Sequence, residues 1–386
     1  MKKRPIIKSI THSHRNKTLF NRAGISAGAY MTPVYAHTLA VFPDALQAST
    51  FIQDTKALFP ERNIYLLNEL PLNSETDGLK ALLLERGETI RRWIDTKGIL
   101  AAYPGSLMAS CMLGSLDNVI KRSEKFNLVK LREWLDMAGY KRSSLVWSPG
   151  QYVQRGFILD VYDPGYALPL RFEFFDDELE RIGSFHPDTQ KSSKELMHLE
   201  EITLHGINEA IVKFPSELLP EDTITILFDP DKIESQSESF SWLWNEIFIQ
   251  AGINRDIDTW PKVYKKLSEF PVVRISNDPD KSDAELPIES LPAFKGDPKI
   301  ILGLCDELQS KKFTISVYTN NPIFAKLPYE IHDSLLSSGF IDTRAKHVFI
   351  SERELAGITS TASLTQRRTP NEWNDSEKFH DKHIHE

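Results

Sequence analysis

Pro169–Glu180 reads PLRFEFFDDELE. Apolar and polar residues alternate, the period-two pattern of a strand with two unlike faces. Leu170, Phe172 and Phe174 define one face, which suits a core. Arg171, Glu173 and Phe175 fall on the other, at spacing i, i+2, i+4. A bare aromatic flanked by charges is the anatomy of an interface hot spot: the ring supplies apolar area and the charges fix register. Arginine can also grip a partner carboxylate with two parallel hydrogen bonds. The competing reading is a cross-strand ion pair, with the ring packed on a neighbouring domain.

Outward from this strand the period-two pattern continues. YVQRGFILDVYDP (152–164) reads as a strand, joined to PLRFEFF through a turn-rich YDPGYAL. FDDELERIGSF (175–185) turns at Asp176 and Asp177 into a third. Upstream, NLVKLREWLDMAGY (127–140) is an amphipathic helix. Asn127 is its cap, Leu128, Leu131, Leu135 and Ala138 its buried stripe, and Gly139 its stop. Residues 124–200 therefore form an α+β module with an antiparallel sheet.

The flanks alternate helix and strand, an α/β layer pattern. On the N-terminal side, TPVYAHTLAVF (32–42) is expected to be helical. LKALLLERGETIRRWID (79–95) is a clear amphipathic helix, and GILAAYP (98–104) a short buried parallel strand. On the C-terminal side, DTITILFDP (222–230) is a strand and SFSWLWNEIFIQAG (239–252) a helix. NDPDKSDAELPIES (277–290) is polar and proline-containing and reads as a linker. Four segments then alternate helix, strand, helix, strand: PKIILGLCDELQSK (298–311), FTISVYTN (313–320), YEIHDSLLSSG (329–339) and HVFISE (347–352). The tail after 361 lacks apolar periodicity and is expected to be disordered, with His380, His383 and His385 solvated rather than metal-bound.

Composition excludes several classes. The net charge of −8 argues against a dedicated grip on a nucleic-acid backbone. The basic start, with no acid before Asp44, reads as a solvated N-terminus. Cys111 and Cys305 make neither a disulfide framework nor a zinc site, which fits a reducing cytoplasm. No apolar run approaches the roughly 20 residues that span a bilayer. There is no HExxH, CxxC or GxSxG. AGISAGAY (23–30) resembles a phosphate loop, whose lysine and hydroxyl hold the outer phosphates and magnesium. Aligned on Gly28, those positions are Ala29 and Tyr30, so the chain is expected to hold no nucleotide, cofactor or metal and to catalyse nothing. The acids of FDDELE read as turn formers rather than a general acid–base pair.

LREWLDMAGYKRSSLVWSPGQYVQRGFILDVYDPGYALPLRFEFFDDELERIGSFHPDTQKS (131–192) resembles the UvrB-interaction domain of bacterial transcription-repair coupling factors and of the excinuclease subunit UvrB. The signatures are AGY, an aromatic before xxRG, ILDVY, LPLRFEFFDDELE and FxPxTQ. Weaker similarity to the N-terminal part of the coupling factors extends over LLNELPL, GILAAYPGSLMAS, LPEDTITILFDPDKI, WPKVYKKLSEFPVVRI and SSGFIDTRAKHVFISERELAG. The resemblance implies a UvrB-like, degenerate RecA-type α/β body (1–123 and 201–280). It further implies an α+β module inserted at 124–200, a small third α/β domain at 286–361, and a tail at 362–386.

The resemblance also implies UvrA as partner, bound through Arg155, Arg171, Glu173 and Phe175. UvrB has a further arginine where this chain has Val153. The degenerate loop, and the lack of aromatics between Leu72 and Gly78, match the coupling factor rather than UvrB. The expectation is a cytoplasmic, monomeric, non-catalytic repair module. It has no translocase or polymerase-binding domain, and its UvrA surface is unmasked. Two alternatives stand beside it: a vestigial nucleotide-binding enzyme, and an N-terminal portion of a full coupling factor.

Overall fold

The structure is a computed structural model; it describes residues 15–21, 23–32, 37–70, 76–114, 117–121, 128–175, 178–193, 201–207, 211–249, 257–291 and 298–355. Its architecture is mixed α/β with several sheets, as the flanking pattern predicts. The chain divides into two compact units, one of residues 34–48 and 63–273, the other of residues 1–33, 49–62 and 274–386.

In the first unit, parallel strands run in the order Ile224–Phe228, Thr38–Val41, Ile99–Ala102, Ile64–Leu66. Every residue of Thr38–Val41, Ile99–Ala102 and Ile224–Phe228 is buried. Strands covered on both faces read as continuous apolar runs, which is the pattern seen here. The same fact explains a correction. Thr38–Val41 lies in the segment expected to be helical, and periodicity cannot separate a short buried strand from a short buried helix. Helix Thr76–Thr96 confirms the amphipathic reading of 79–95. Trp93 and Ile90 bury in the same core as Leu39, Val41, Leu100 and Leu227.

The module lies within this unit. Its entry strand β1 (Asp117–Lys121) pairs antiparallel with its exit strand, over five rungs from Asp117↔His205 to Lys121↔Glu201. Between them come α1 (Leu128–Ala138), β2 (Lys141–Arg142), β3 (Gln151–Arg155), β4 (Ile158–Val161), β5 (Leu170–Phe175), β6 (Glu178–Phe185) and β7 (Ser192–Ser193), followed by the exit strand β8 (Glu201–His205). β2 to β7 form one sheet in sequential order, antiparallel except for β2 against β3. The expected stripe is present: Leu131, Leu135 and Ala138 are buried, and Gly139 ends the helix at φ +96°. Asn127, Asp176 and Asp177 lie outside the described residues, as does the tail with its histidines.

YVQRGFILDVYDP is two strands, not one. Arg155 pairs with Ile158, leaving Gly156 and Phe157 as a two-residue hairpin turn. Gly156 has φ +60°, the left-handed value that a type II′ turn demands of its first central residue and glycine supplies without strain. One face of the sheet closes against α1. Leu159, Val161, Leu170, Phe172, Phe174, Leu179 and Ile182 share a core there with Leu131, Leu135 and Tyr140. Each such side chain contributes about 1.5–3 kcal/mol by leaving water.

The second unit contains a mixed five-stranded sheet in the order Ile288–Ser290, Phe340–Asp342, His347–Ser351, Thr314–Tyr318, Glu330–His332. Helix Pro298–Ser310 packs on it through Ile301, Leu304, Cys305 and Leu308. Two expectations need correction here. The 277–290 stretch contributes strands Ala284–Glu285 and Ile288–Ser290, because its buried Ala284, Leu286 and Ile288 outweigh its polar majority. The 329–339 stretch is a strand, Glu330–His332, followed by bends rather than a helix. Tyr318 stacks on His332 across this edge.

Candidate partner-binding face

The module's outer face is set by register. Arg171 lies opposite Asp160 of β4 and Gly183 of β6; Glu173 lies opposite Ile158 and Arg181. On β3, Val153 pairs with Asp160 and Arg155 with Ile158. Paired residues share a face. Two rows therefore cross four strands: Arg155–Ile158–Glu173–Arg181, and Val153–Asp160–Arg171–Gly183. Burial along β5 alternates as expected, down to the last residue, Phe175, which is 71 % exposed. A bulge between Glu173 and Phe174 resets the pairing so that Phe175 meets Glu178.

The four residues singled out from sequence behave differently from one another. Arg155 is exposed, with Nη2 3.5 Å from Asp160 Oδ2. Glu173 is partly exposed, with Arg181 3.6 Å away. Phe175 projects into solvent. Arg171 does not: its side chain is only 17 % exposed. Its Nε and Nη2 donate to Asp160 Oδ1 and Oδ2 at 2.7 and 2.9 Å, and its guanidinium lies 4.5 Å from the Phe185 ring centroid. The hydrogen bonds to Asp160 raise the arginine's pKa, against the opposing effect of burial. The cross-strand ion pair is thus real for Arg171, while the packed-ring alternative is absent for Phe175.

The row of Arg171 is closed at its other end. Val153 is buried with Val146 and Phe185, and Tyr162 packs against them. At this end the face is sealed by a small apolar cluster. The open part of the face is the row from Arg155 to Arg181 with Phe175 beyond it.

Sequence reasoning passed over Asp160, Ile158 and Arg181. Asp160 was detectable: an acid inside ILDV is 1 % exposed, and a carboxylate that deeply buried requires a cation. Ile158, 39 % exposed, adds apolar surface in the same row as Arg155.

The phosphate-loop remnant occupies helix Gly24–Met31 of the second unit. Ala29 is fully buried. Tyr30 packs among Phe59, Phe340 and Phe349, and desolvation, followed by the nearby Asp342 carboxylate, pushes its hydroxyl pKa up to about 12. Ser26 donates to buried Asp54 at 2.7 Å, and Asp54 also accepts from the backbone and hydroxyl of Ser337 at 2.8 and 2.6 Å. Among the described residues no cluster of three or more metal-ligating side chains occurs, and no helix is long and apolar enough to cross a membrane.

A family model described as the UvrB interaction domain matches residues 119–205, from within β1 to the end of β8. The module is thus the part of the chain that is similar to a UvrB interaction domain. Around it the chain is similar to an N-terminal region of transcription-repair coupling factors. It is 33 % identical over 121 residues to the transcription-repair-coupling factor of Escherichia coli (strain K12), covering 31 % of this chain and 10 % of that protein. With the Haemophilus influenzae coupling factor it is 36 % identical over 120 residues, 31 % of this chain and 10 % of the relative. With UvrABC system protein B of Thermus thermophilus it is 27 % identical over 147 residues, covering 36 % of this chain and 21 % of that protein. The matched stretch thus spans about a tenth of each of these two coupling factors.

Proposed function

We propose that this chain acts in bacterial nucleotide excision repair as a non-catalytic module that binds UvrA through the outer face of its UvrB interaction domain. The observation that carries the reading is Phe175, a large aromatic left 71 % exposed at the end of a strand whose neighbours are charged. A side chain of that kind, just beyond a row that holds Arg155, Glu173 and Arg181, has the composition of an interface anchor with a polar rim. The surrounding parallel strands support a UvrB-like body from which the module is an insertion. Buried Ala29 and the half-buried Tyr30, standing where a phosphate loop needs a lysine and a hydroxyl, support a body without nucleotide chemistry.

The test is a calorimetric titration of the chain into purified UvrA, repeated with UvrB present in excess. Saturable binding that UvrB displaces is expected, since the two would use the same module. Absence of binding, or binding that UvrB leaves unchanged, would refute the proposal.

A further inference from the structure

The module is held to its surroundings by more than the two strands that enter and leave it. His205, the last residue of β8, is buried. Its ring lies between carboxylates from two parts of the chain. Nδ1 is 2.8 Å from Oδ1 of Asp163, in the turn after β4. Nε2 is 3.2 Å from Oε2 of Glu88, on helix Thr76–Thr96 outside the module. Only a doubly protonated ring can donate to both. Either neutral tautomer turns a lone pair toward one of the carboxylates.

The two contacts are not equally secure. Asp163 is fully buried, and its carboxylate also accepts the Tyr140 hydroxyl and the His205 amide at 2.6 Å each, and the Gly165 amide at 2.7 Å. Burial, followed by the charge of Asp163, raises the Tyr140 pKa well above its ordinary value, so the hydroxyl keeps the proton it donates. Gly165 lets the turn close on the imidazole: a Cβ there would stand 2.7 Å from His205 Nδ1 and 2.9 Å from Asp163 Oδ1. The Glu88 side is looser. A cavity of about 580 Å³ opens beside it, lined also by Arg91, Arg92, Asp95, Tyr166 and Thr203. Arg91 Nη1 lies 3.2 Å from Glu88 Oε1 and offers that carboxylate another partner, while Arg92 lies over the Tyr166 ring at 5.2 Å. When the ring gives up one proton, Nδ1–H stays on Asp163 and the Nε2 contact opens. That contact is the one that crosses from the module to the helix.

We infer that His205 is a protonation-dependent latch: its doubly protonated ring ties the root of the module to helix Thr76–Thr96, and its neutral ring lets the module swing about the β1–β8 ribbon. Histidine charge acts in this way wherever it biases a joint between two arrangements. The sign is fixed by the chemistry. The latch is closed on the acid side of the ring's own titration and opens as pH rises through it. The inference does not depend on what the outer face binds.

The test follows the ring and the joint together in the full chain. Nitrogen-15 spectra of the His205 imidazole report its charge and tautomer at each pH. Nitroxides on Glu133→Cys, exposed on α1, and Lys265→Cys, exposed on helix Trp260–Leu267, report the distance between module and surroundings; the two native cysteines are buried. The distance distribution should be narrow while the ring is doubly protonated and broaden in step with its loss of a proton, leaving the Nδ1–H tautomer. In a Glu88→Gln background the side-chain amide can accept from Nε2–H or donate to its lone pair, so the distribution should stay narrow on both sides of the titration. His205→Gln should remove the pH dependence as well. A ring that keeps one protonation state while the chain remains folded would overturn the latch. So would a distribution whose width ignores the titration, or a Glu88→Gln chain that broadens as the wild type does. None of these results touches the reading of the outer face, and a chain that fails to bind UvrA leaves the latch standing.

Discussion

Truncating Phe175 to alanine should separate binding from folding cleanly. A phenylalanine buries about 150–250 Å² when fully enclosed. With 71 % of the residue open in the free chain, about 110–180 Å² is available to a partner. At ~25 cal/mol per Å², complete enclosure corresponds to about 3–4 kcal/mol. Alanine keeps part of that contact, which leaves about 2–3 kcal/mol, or roughly 30- to 140-fold in Kd. Stability should change by no more than about 0.5 kcal/mol, because the ring touches little of its own protein. Phe172 is the internal control. It lies three residues away, on the opposite face, and is fully buried, so Phe172→Ala should cost about 3–5 kcal/mol of stability. The assay is calorimetric titration against UvrA, with urea unfolding of each variant. An affinity within threefold of wild type for a Phe175→Ala chain that folds normally would refute the hot-spot argument.

Tyr140→Phe should destabilise the module by about 1–3 kcal/mol, read by urea unfolding. Its hydroxyl donates to the buried carboxylate of Asp163 at 2.6 Å, and that carboxylate also receives the backbone and imidazole of His205. Magnesium-ATP at millimolar concentration should leave the thermal midpoint unchanged, since a ligand stabilises only in proportion to its binding; a clear upward shift would revive the nucleotide-binding alternative. Burial raises the pKa of Asp54, outweighing hydrogen bonds from Ser337 and Ser26 that lower it. The folded state therefore holds this proton more tightly than the unfolded chain. Its contribution to stability is present below the ordinary carboxylate range and is lost as pH rises through the raised value. Asp54→Asn should flatten that part of the stability–pH curve, measured by urea unfolding across the acidic range.

Much of the module was legible because its signals are local. The alternation in PLRFEFF, the stripe Leu131–Leu135–Ala138 and the glycine at 139 each depend on residues a few positions apart. The state of Arg171 was not legible from that strand. It depends on Asp160, eleven residues away, and on a hairpin register that places the two side by side. The i, i+2, i+4 rule correctly put Arg171, Glu173 and Phe175 on one face, but a shared face does not imply shared exposure. The misread segments fail for a related reason. Thr38–Val41 and Glu330–His332 are too short to establish a period, and their form is set by the strands they pair with.

The ribbon of β1 and β8 has a consequence for ancestry. The polypeptide enters and leaves the module through two strands lying side by side along five rungs, so the two junctions are about 5 Å apart, the span of a single antiparallel pair. A host needs only one tight turn to accept such a cassette, and it need not move either flanking end. Similarity of this one module to both coupling factors and UvrABC system protein B thus asks only for such a point of attachment, and places no demand that the sequence built around it be alike.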